Sequence, residues 1–177
     1  VSRFASLASQ ALETLALAEH NALLAAVIEG SSASVAIADA RTQDMELVYV
    51  NQAFVDLTGY GRDEIVGTNC RFLTAEHPGA DVRRALRSAV AERRSGTLGL
   101  RNRRKDGVEF WNRLTLYPIL GEDGDASMMG ATQVDITQER AAAAERDEAQ
   151  RRLIDALSAT AEGFLVLDPY GNVVLAN

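Results

Sequence analysis

The sequence predicts an α+β domain built on a five-stranded antiparallel sheet, with the helices gathered on one side of it. The order of the elements and the composition of two turns predict this fold. Two short strand-like segments come first, several helical segments follow, and three longer strand-like segments come last. The last three are joined by residues 105–107 and 121–125, whose Gly and Asp content is typical of tight hairpin turns. Helices grouped between runs of strands are typical of an antiparallel α+β domain.

Residues 1–30 are predicted to form an N-terminal helix. No proline or glycine occurs between residues 2 and 29, and Gly30 supplies a C-terminal stop. Small and apolar side chains recur at alternating spacings of four and three, which is the pattern of a heptad seam. The members of this seam are Phe4, Ala8, Ala11, Leu15, Ala18, Ala22 and Ala25. Two interpretations stay open: a dimer seam, or a helix packed on its own domain.

Residues 31–137 are predicted to form the domain itself. Strands are expected at residues 34–39 and 47–51, with helical turns following through residue 60 and over residues 62–73. An amphipathic helix fits residues 81–94. The three long strands are expected at residues 97–104, 109–120 and 128–136.

Residues 138–160 are predicted to form a linker helix, and residues 161–177 the beginning of a second copy of the domain. Ala142, Ala149, Leu153, Ala156 and Thr160 continue a heptad spacing, which favours a paired helix. Residues 164–168 and 173–177 repeat the apolar pattern of residues 35–39 and 47–51, as expected of a tandem array. Since the sequence begins with Val and stops inside a strand-like run, we expect it to be an excised part of a longer protein.

Composition excludes several classes of protein. The chain has 177 residues, 47% of them hydrophobic, and a net charge of −7, which argues against general affinity for nucleic acid or anionic membranes. No apolar run approaches the ~20 residues that a membrane span needs, and there is no signal peptide, so we expect a cytoplasmic protein. A single cysteine excludes an internal disulfide, and the isolated His20 and His77 predict no metal site.

The densest group of chemically distinctive residues is the segment Gly67-Thr68-Asn69-Cys70-Arg71-Phe72-Leu73. It resembles the GxNCRFLQ signature of LOV domains, the blue-light flavin photoreceptors of the PAS superfamily. The resemblance covers residues 34–137. Matches to the general PAS pattern occur at Asn51, Phe54, Leu57, Thr58, Gly59 and Tyr60.

The resemblance implies that Cys70 lies over a flavin and forms a reversible, light-driven bond between its sulfur and the ring. It implies that Arg71 and Arg87 hold the flavin phosphate, for which guanidinium geometry is suited. No insertion separates Cys70 from Arg87, whereas family members that bind a dinucleotide commonly lengthen this region, so the resemblance favours FMN over FAD. Riboflavin is also less expected than FMN. Asn69 is expected to contact the ribityl chain or neighbouring backbone.

Three amides match the family positions at the polar edge of the flavin ring: Asn102, Asn112 and Gln133. Inward-facing amides in a sheet are costly without partners, so three of them converging favours a polar ligand inside the domain. Thr74 stands where the signature has Gln, which removes one long amide from the ribityl side. The apolar neighbours expected around the ring are Phe54, Ile65, Leu114 and Leu116.

The function implied is a blue-light sensor. The bond at Cys70 changes a ring nitrogen from acceptor to donor, Gln133 reverses its amide, and the change passes along its strand into the linker helix. The alternative is a light-independent PAS module that senses a ligand or dimerises. A third possibility is a flavoprotein that uses Cys70 as a redox-sensing thiol in the dark, but the chain has no second cysteine to resolve the oxidised thiol. No catalytic signature occurs in the chain, so we expect an effector such as a histidine kinase or cyclase outside it.

Overall fold

The computed structural model describes residues 2–75, 80–158 and 165–176. A five-stranded antiparallel sheet forms the domain, in the spatial order β2-β1-β5-β4-β3. Its strands are β1 (Ser34–Asp39), β2 (Leu47–Val50), β3 (Gly96–Arg103), β4 (Glu109–Leu120) and β5 (Ala126–Asp135). The α+β fold predicted from the sequence is therefore confirmed, with strand ends within two residues of the expected positions.

Four helices and one 3₁₀ turn complete this unit. They are α1 (Ser2–Glu29), α2 (Gln52–Thr58), α3 (Arg62–Ile65), the 3₁₀ turn Cys70–Leu73, and α4 (Ala80–Ala91). Asn51 caps α2, because its side-chain oxygen accepts from the amide of Phe54. Gly59 ends α2 in the left-handed conformation at φ 76°, which glycine adopts without steric cost.

The apolar core lies between one face of the sheet and the short helices. One cluster joins Ala36 of β1 to Leu47, Val50, Phe54, Ile65 and Leu73. A second joins Ala89 of α4 to Leu116, Met129 and Ala40. Because the two clusters flank the 3₁₀ turn and the inner face of β3, β4 and β5, they frame the region where the sequence predicts a ligand.

Asn51 also fastens the end of α1 to the sheet. Its amide nitrogen donates to the carbonyl of Ile28 at 2.9 Å and to that of Ala33 at 2.8 Å, while its oxygen accepts from the amide of Val35 at 2.9 Å. The side chain is completely buried, and all its hydrogen-bonding groups have partners. The N-terminal helix is therefore tied to the first strand at a fixed point.

Glu29, the last residue of α1, makes a second tie. Its carboxylate accepts from the Tyr49 hydroxyl at 2.7 Å and from the Arg62 guanidinium at 2.6 Å. The hydroxyl of Tyr49, followed by the guanidinium of Arg62, holds the pKa of Glu29 below its ordinary value. Together with Asn51, this carboxylate makes α1 part of the domain.

The predicted N-terminal helix is confirmed, whereas its pairing stays a prediction. Leu15 of the expected seam is 57% exposed, and large apolar side chains outside that seam, at Leu17, Leu24 and Val27, are also exposed. No helix in the described parts of the chain is both long enough and apolar enough to cross a membrane.

Residues 137–176 form a separate unit. It contains α5 (Thr137–Ser158), β6 (Leu165–Leu167) and β7 (Val173–Ala176). The expected helix positions 159 and 160, and the flanking positions 164 and 177 of the expected strands, lie outside the described residues, as does His77.

The β6–β7 hairpin repeats the β1–β2 hairpin in its pairing. Leu165, Val166 and Leu167 pair with residues 176, 175 and 173, with an irregularity before the last pair. In β1, residues 36, 37 and 38 pair with 50, 49 and 47, with the irregularity at the same place. The two hairpins therefore share their strand register as well as their sequence pattern. The assignment of residues 161–177 to a second PAS domain stays a prediction.

Candidate functional site

A cavity of about 190 Å³ opens between the inner face of the sheet, the 3₁₀ turn and α4. Apolar side chains make most of its wall, and polar side chains make the rest. The apolar ones are Ala36, Ala38, Met45, Leu47, Leu73, Leu86, Val90, Leu100, Leu114, Leu116, Met129 and Ala131. The polar and thiol-bearing ones are Asn69, Cys70, Arg71, Thr74, Asn102, Asn112 and Gln133. Nine of the twelve residues predicted for the site or its apolar surroundings therefore line one cavity.

The 3₁₀ turn presents Cys70 to this cavity from its first position. Asn69 caps the turn, since its side-chain oxygen accepts from the amide of Arg71 at 2.9 Å. At the other end, the amide nitrogen of Asn102 donates to the carbonyl of Leu73 at 2.7 Å, and Thr74 forms an isolated bridge with Asn102. The turn is thus held to β3, which fixes the position of the thiol.

Burial raises the pKa of the Cys70 thiol to about 12. A charged thiolate is disfavoured in this apolar surrounding, so the group carries its proton throughout the physiological range. Cys70 is therefore not an activated nucleophile of the kind that reacts unaided in the dark. The described side chains bring no three His, Cys, Asp or Glu residues together as a metal site.

Three buried amides form a continuous network across the strands. Asn112 of β4 donates from its amide nitrogen to Asn102 Oδ1 at 2.9 Å and to Gln133 Oε1 at 3.1 Å. Since Asn102 donates in turn to Leu73, the network runs from the turn that carries Cys70 to the strand β5. Strand alternation explains the convergence, because all three side chains fall on the buried face of the sheet.

The network leaves one acceptor without a donor. Asn112 Oδ1 is buried and has no hydrogen-bond partner. A buried amide oxygen without a donor costs about 1–3 kcal/mol, so this atom is suited to a ligand that brings an N–H group. The flavin ring carries such a group next to carbonyl acceptors, and the residues around Asn112 Oδ1 therefore fit a flavin.

Arg71 also lines the cavity, from an exposed position on the 3₁₀ turn. Its guanidinium pairs with the carboxylate of Asp44 at 2.7 Å, and its side chain is 70% exposed. The side-chain amide of Asn69 donates to the backbone carbonyl of Asp44, so Asn69 contacts neighbouring backbone. Arg71 therefore offers a cation that already has a surface carboxylate partner.

Comparison with known proteins assigns the family. Residues 33–138 match the family model described as PAS domain. Over 120 residues the chain is 45% identical to blue-light-activated histidine kinase 1 of Erythrobacter litoralis, covering 68% of this chain and 33% of that protein. It is 35% identical over 125 residues to a blue-light-activated histidine kinase of Rhizobium johnstonii, covering 71% and 36% respectively.

Solved structures agree with these relatives. The LOV domain of a blue-light-activated histidine kinase from Erythrobacter litoralis superposes with a TM-score of 0.57 at 36% identity, covering 59% of this chain and 96% of that domain. This chain belongs to the LOV domains of the PAS family. An RNA-binding light-oxygen-voltage receptor superposes with a TM-score of 0.67 at 36% identity over 76% of this chain and 37% of that one. The LOV chain spans about a third of the length of the curated relatives named above.

Arg87, the second predicted phosphate ligand, does not line the cavity. It lies exposed on α4, while its neighbours Leu86 and Val90 line the cavity. Thr74 does line the cavity, at an exposed position directly after the 3₁₀ turn. The role of Arg87 toward a phosphate therefore stays a prediction.

Phe54 and Ile65 were expected beside the ring and lie elsewhere. Both are buried in the apolar cluster that adjoins the cavity, and neither lines it. Leu114 and Leu116 do line it, as predicted. Apolar residues of one core look alike in a sequence, so the sequence did not separate these two from the residues that line the cavity.

Several residues that line the cavity, or that contact a residue lining it, have no role in the sequence analysis. Asp44 holds Arg71 across 27 positions, and no spacing rule connects them. Met45 lies in the same loop at φ 52°, and Met129 is buried on β5. The signal for Leu86 and Val90 was available, because apolar residues four apart on an amphipathic helix share a face.

Proposed function

We propose that this LOV domain is a blue-light sensor that binds FMN in the cavity and forms a reversible bond between Cys70 Sγ and the flavin. The proposal rests on the observation that Cys70 and the hydrogen-bonded amides Asn102, Asn112 and Gln133 line the same cavity. The unpartnered Asn112 Oδ1 adds a demand for a donor that a flavin ring would meet.

Bound flavin supplies a light-excited ring whose carbon bonds to Sγ while the adjacent ring nitrogen takes the thiol proton. No external oxidant or reductant is needed, since one S–H is added across one C=N bond. The protonated state of Cys70 suits this chemistry, because the thiol brings the proton that the ring nitrogen receives. The chain contributes position through the cap at Asn69 and the bond from Asn102 to Leu73.

Gln133 is the side chain proposed to respond to formation of the bond between Cys70 and the flavin. Its oxygen accepts from Asn112, which leaves its amide nitrogen to donate toward the cavity. When the facing ring nitrogen becomes a donor, the amide must present its oxygen instead. Gln133 lies four residues before Thr137, the first residue of α5, so the reversal takes place on the strand that leads into the linker helix.

The proposed cofactor is FMN because its single phosphate needs only a short charged site. Arg71 lines the cavity and has an exposed guanidinium. Arg87, on the exposed side of α4, is the second proposed phosphate ligand. FAD would need additional room for its second nucleotide, and riboflavin has no phosphate for the arginines to contact.

We also propose that the domain pairs with a second copy and controls an output domain of the same protein. Exposed apolar side chains on α1, at Leu15, Leu24 and Val27, support the pairing. The blue-light-activated histidine kinases of the comparison support a kinase as the output, with this chain as the sensory part.

Absorption spectroscopy tests the photochemistry. The purified protein should be yellow, with a structured flavin band that bleaches under blue light and returns in the dark. Cys70→Ser, which keeps the shape of the side chain, and Cys70→Ala should keep the band and lose the bleaching. A colourless protein that takes up no added FMN would contradict the flavin proposal. A stable flavin band that never bleaches in the unmodified protein would favour the light-independent PAS module.

A further inference from the structure

A second space lies beside the cavity at the 3₁₀ turn. This outer cleft has a volume of about 440 Å³. Its walls are formed by Asp44, Tyr60, Glu64, Ile65, Thr68, Asn69, Arg71 and Phe72. Asn69 and Arg71 line the cavity as well, so these two side chains stand at the border between the cavity and the outer cleft.

Asp44 bonds both of these border side chains. Its carboxylate accepts from the Arg71 guanidinium at 2.7 Å, and its backbone carbonyl accepts from the side-chain amide of Asn69. Asp44 belongs to the loop of residues 40–46, which joins β1 to β2. The next residue, Met45, lines the cavity and packs against its second apolar cluster. Because one residue of the loop lines the outer cleft and the next lines the cavity, the loop lies across the border.

Arg93 holds the same loop at a second point. From beyond the end of α4, its guanidinium donates to the carbonyl of Ala40 at 3.0 Å. Among the residues that the structure describes, the non-glycine residues with positive φ are Met45, at 52°, and Arg93, at 47°. Backbone strain of this kind persists only where the surroundings impose it, and it clusters at ligand clamps. Both strained residues belong to this loop or fasten it.

We propose that residues 40–46 form a strap that controls passage of the flavin between the outer cleft and the cavity, with the Asp44–Arg71 ion pair as its latch. The inference rests on the proposed function for the identity of the ligand, and it adds the route of entry. The side chains of Asp44 and Arg71 are 55% and 70% exposed, so their ion pair is weak and exchanges partners easily. The latch can open without unfolding the sheet, because Asp44 lies outside the paired residues of β1 and β2.

Rates of riboflavin binding and release test the strap, since riboflavin has no phosphate that competes with Asp44 for Arg71. Stopped-flow fluorescence gives the association rate and dilution gives the dissociation rate, in a Cys70→Ala background where the measuring light forms no bond. Asp44→Asn removes the charge of the latch at nearly constant shape. Both rates should rise by about three- to fivefold, and riboflavin affinity should stay unchanged. A residue that only contacted the ligand would change the affinity instead.

Salt acts on the same latch. Raising the ionic strength from about 0.01 M to about 1 M shortens the Debye length roughly tenfold, which weakens an exposed ion pair. Riboflavin is uncharged, so both of its rates should rise with salt when Asp44 is present and should be insensitive to salt in Asp44→Asn. Rates that respond neither to salt nor to Asp44→Asn would overturn the proposal.

Arg41→Gln is the matched control. Arg41 lies in the strap and forms an exposed ion pair with Asp39, also at 2.7 Å, but this pair joins the strap to its own strand β1 and not to the 3₁₀ turn. Its loss should leave both riboflavin rates unchanged. Equal acceleration by Arg41→Gln and Asp44→Asn would mean that any loosening of the loop has this effect, and the latch would be overturned.

Arg93→Gly separates control of passage from stability. Glycine adopts a φ near 47° without steric cost, which offsets the lost bond to Ala40, so the thermal midpoint should change by less than about 3 °C. The strap loses one fastening, so riboflavin should exchange about threefold faster. An unchanged exchange rate in Arg93→Gly would overturn the strap.

Hydrogen exchange provides a measurement that needs no flavin. The amides of Met45 and Glu46 bond to the carbonyl and the hydroxyl of Thr42 within the strap. In flavin-free protein these amides should exchange about threefold faster in Asp44→Asn and in Arg93→Gly. Unchanged protection in both variants would overturn the strap while flavin binding stays intact. Failure of the unmodified protein to bind any flavin would instead overturn the proposed function, and the inference with it.

Discussion

Two polar parts of the cavity wall, a buried amide end and an exposed arginine end, are built in opposite ways. At one end, Asn102, Asn112 and Gln133 are each at most 4% exposed and bond to one another from neighbouring strands. At the other end, Arg71 is 70% exposed and pairs with Asp44 in a loop. Arg71 and the three amides were all predicted from the sequence, yet only the amides are held by the sheet.

The difference assigns different tasks to the two ends. Buried amides are fixed before a ligand arrives, so they set which ring edge is recognised at small cost in conformational entropy. An exposed ion pair contributes about 0–1 kcal/mol and exchanges partners easily. In the proposed function, recognition of the flavin ring would therefore depend on the amide end, while the arginine end would adjust affinity for the phosphate.

The largest effect is expected from breaking the amide end at its centre. Asn112→Leu removes both donors of that side chain and leaves Asn102 Oδ1 and Gln133 Oε1 unpartnered in a buried place. Each unmade bond costs about 1–3 kcal/mol, partly offset by removal of the idle Oδ1, so the free energy of unfolding should fall by about 2 kcal/mol. Urea denaturation measures this, and FMN titration should show at least tenfold weaker binding.

Thr115→Val is the matched control for Asn112→Leu. Thr115 lies on the same strand, and its hydroxyl bonds that of Thr97 at 3.0 Å in an exposed setting. Loss of the Thr115 hydroxyl should change the free energy of unfolding by less than about 0.5 kcal/mol and leave FMN affinity unchanged. Similar effects of both substitutions would remove the distinction between a preformed amide end and ordinary surface contacts.

A second, smaller effect is expected from pH at Cys70. Its pKa of about 12 in the folded chain lies above the ordinary value of 9.0, so an unfolded chain loses this proton first. The stabilising contribution is complete below pH 9 and is lost as pH rises toward 12, reaching a loss of about 1 kcal/mol near pH 10. Urea denaturation of the unmodified protein and Cys70→Ser should therefore converge or cross between pH 7 and 10.5. A pH-independent difference between the two proteins would mean that the thiol is solvated in the fold.

Local patterns in the sequence account for most of the fold. The strand at residues 34–39 was predicted to the residue, and the long strands within two, because alternation and Gly-Asp turns are local signals. The order β2-β1-β5-β4-β3 was not predicted, because it depends on pairing between distant segments. The pairing of Ser34 with Gln133 across β1 and β5 follows from that order, and it was therefore not predictable from the sequence.

The site residues also fall into two groups, those that could be predicted from the sequence and those that depend on contacts between distant segments. Three residues were predictable, because alternation along a strand fixes which face they occupy and because their amide side chains match family positions: Asn102, Asn112 and Gln133. Asp44 was not, since its bond to Arg71 depends on how the loop before β2 folds back on the 3₁₀ turn. The arginine end is thus the part of the site where sequence reasoning is weakest.

The smallest effects are expected at the arginine end, where they separate the phosphate from the ring. Arg71→Gln should weaken FMN binding by about tenfold, because a charge-assisted contact is lost, and leave riboflavin binding unchanged. Asp44→Asn should strengthen FMN binding by about two- to fivefold, since the competing carboxylate is neutralised.

Flavin fluorescence titrations at low and high salt measure these affinities. The salt dependence of FMN binding should shrink in Arg71→Gln, because screening acts on exposed charges. Arg84→Gln is the control: Arg84 forms a comparable exposed pair with Asp81 on α4, at 3.3 Å, and lies off the cavity wall. Loss of riboflavin affinity in Arg71→Gln would show that this end also shapes the ring site, and the two ends would then act as one preformed unit.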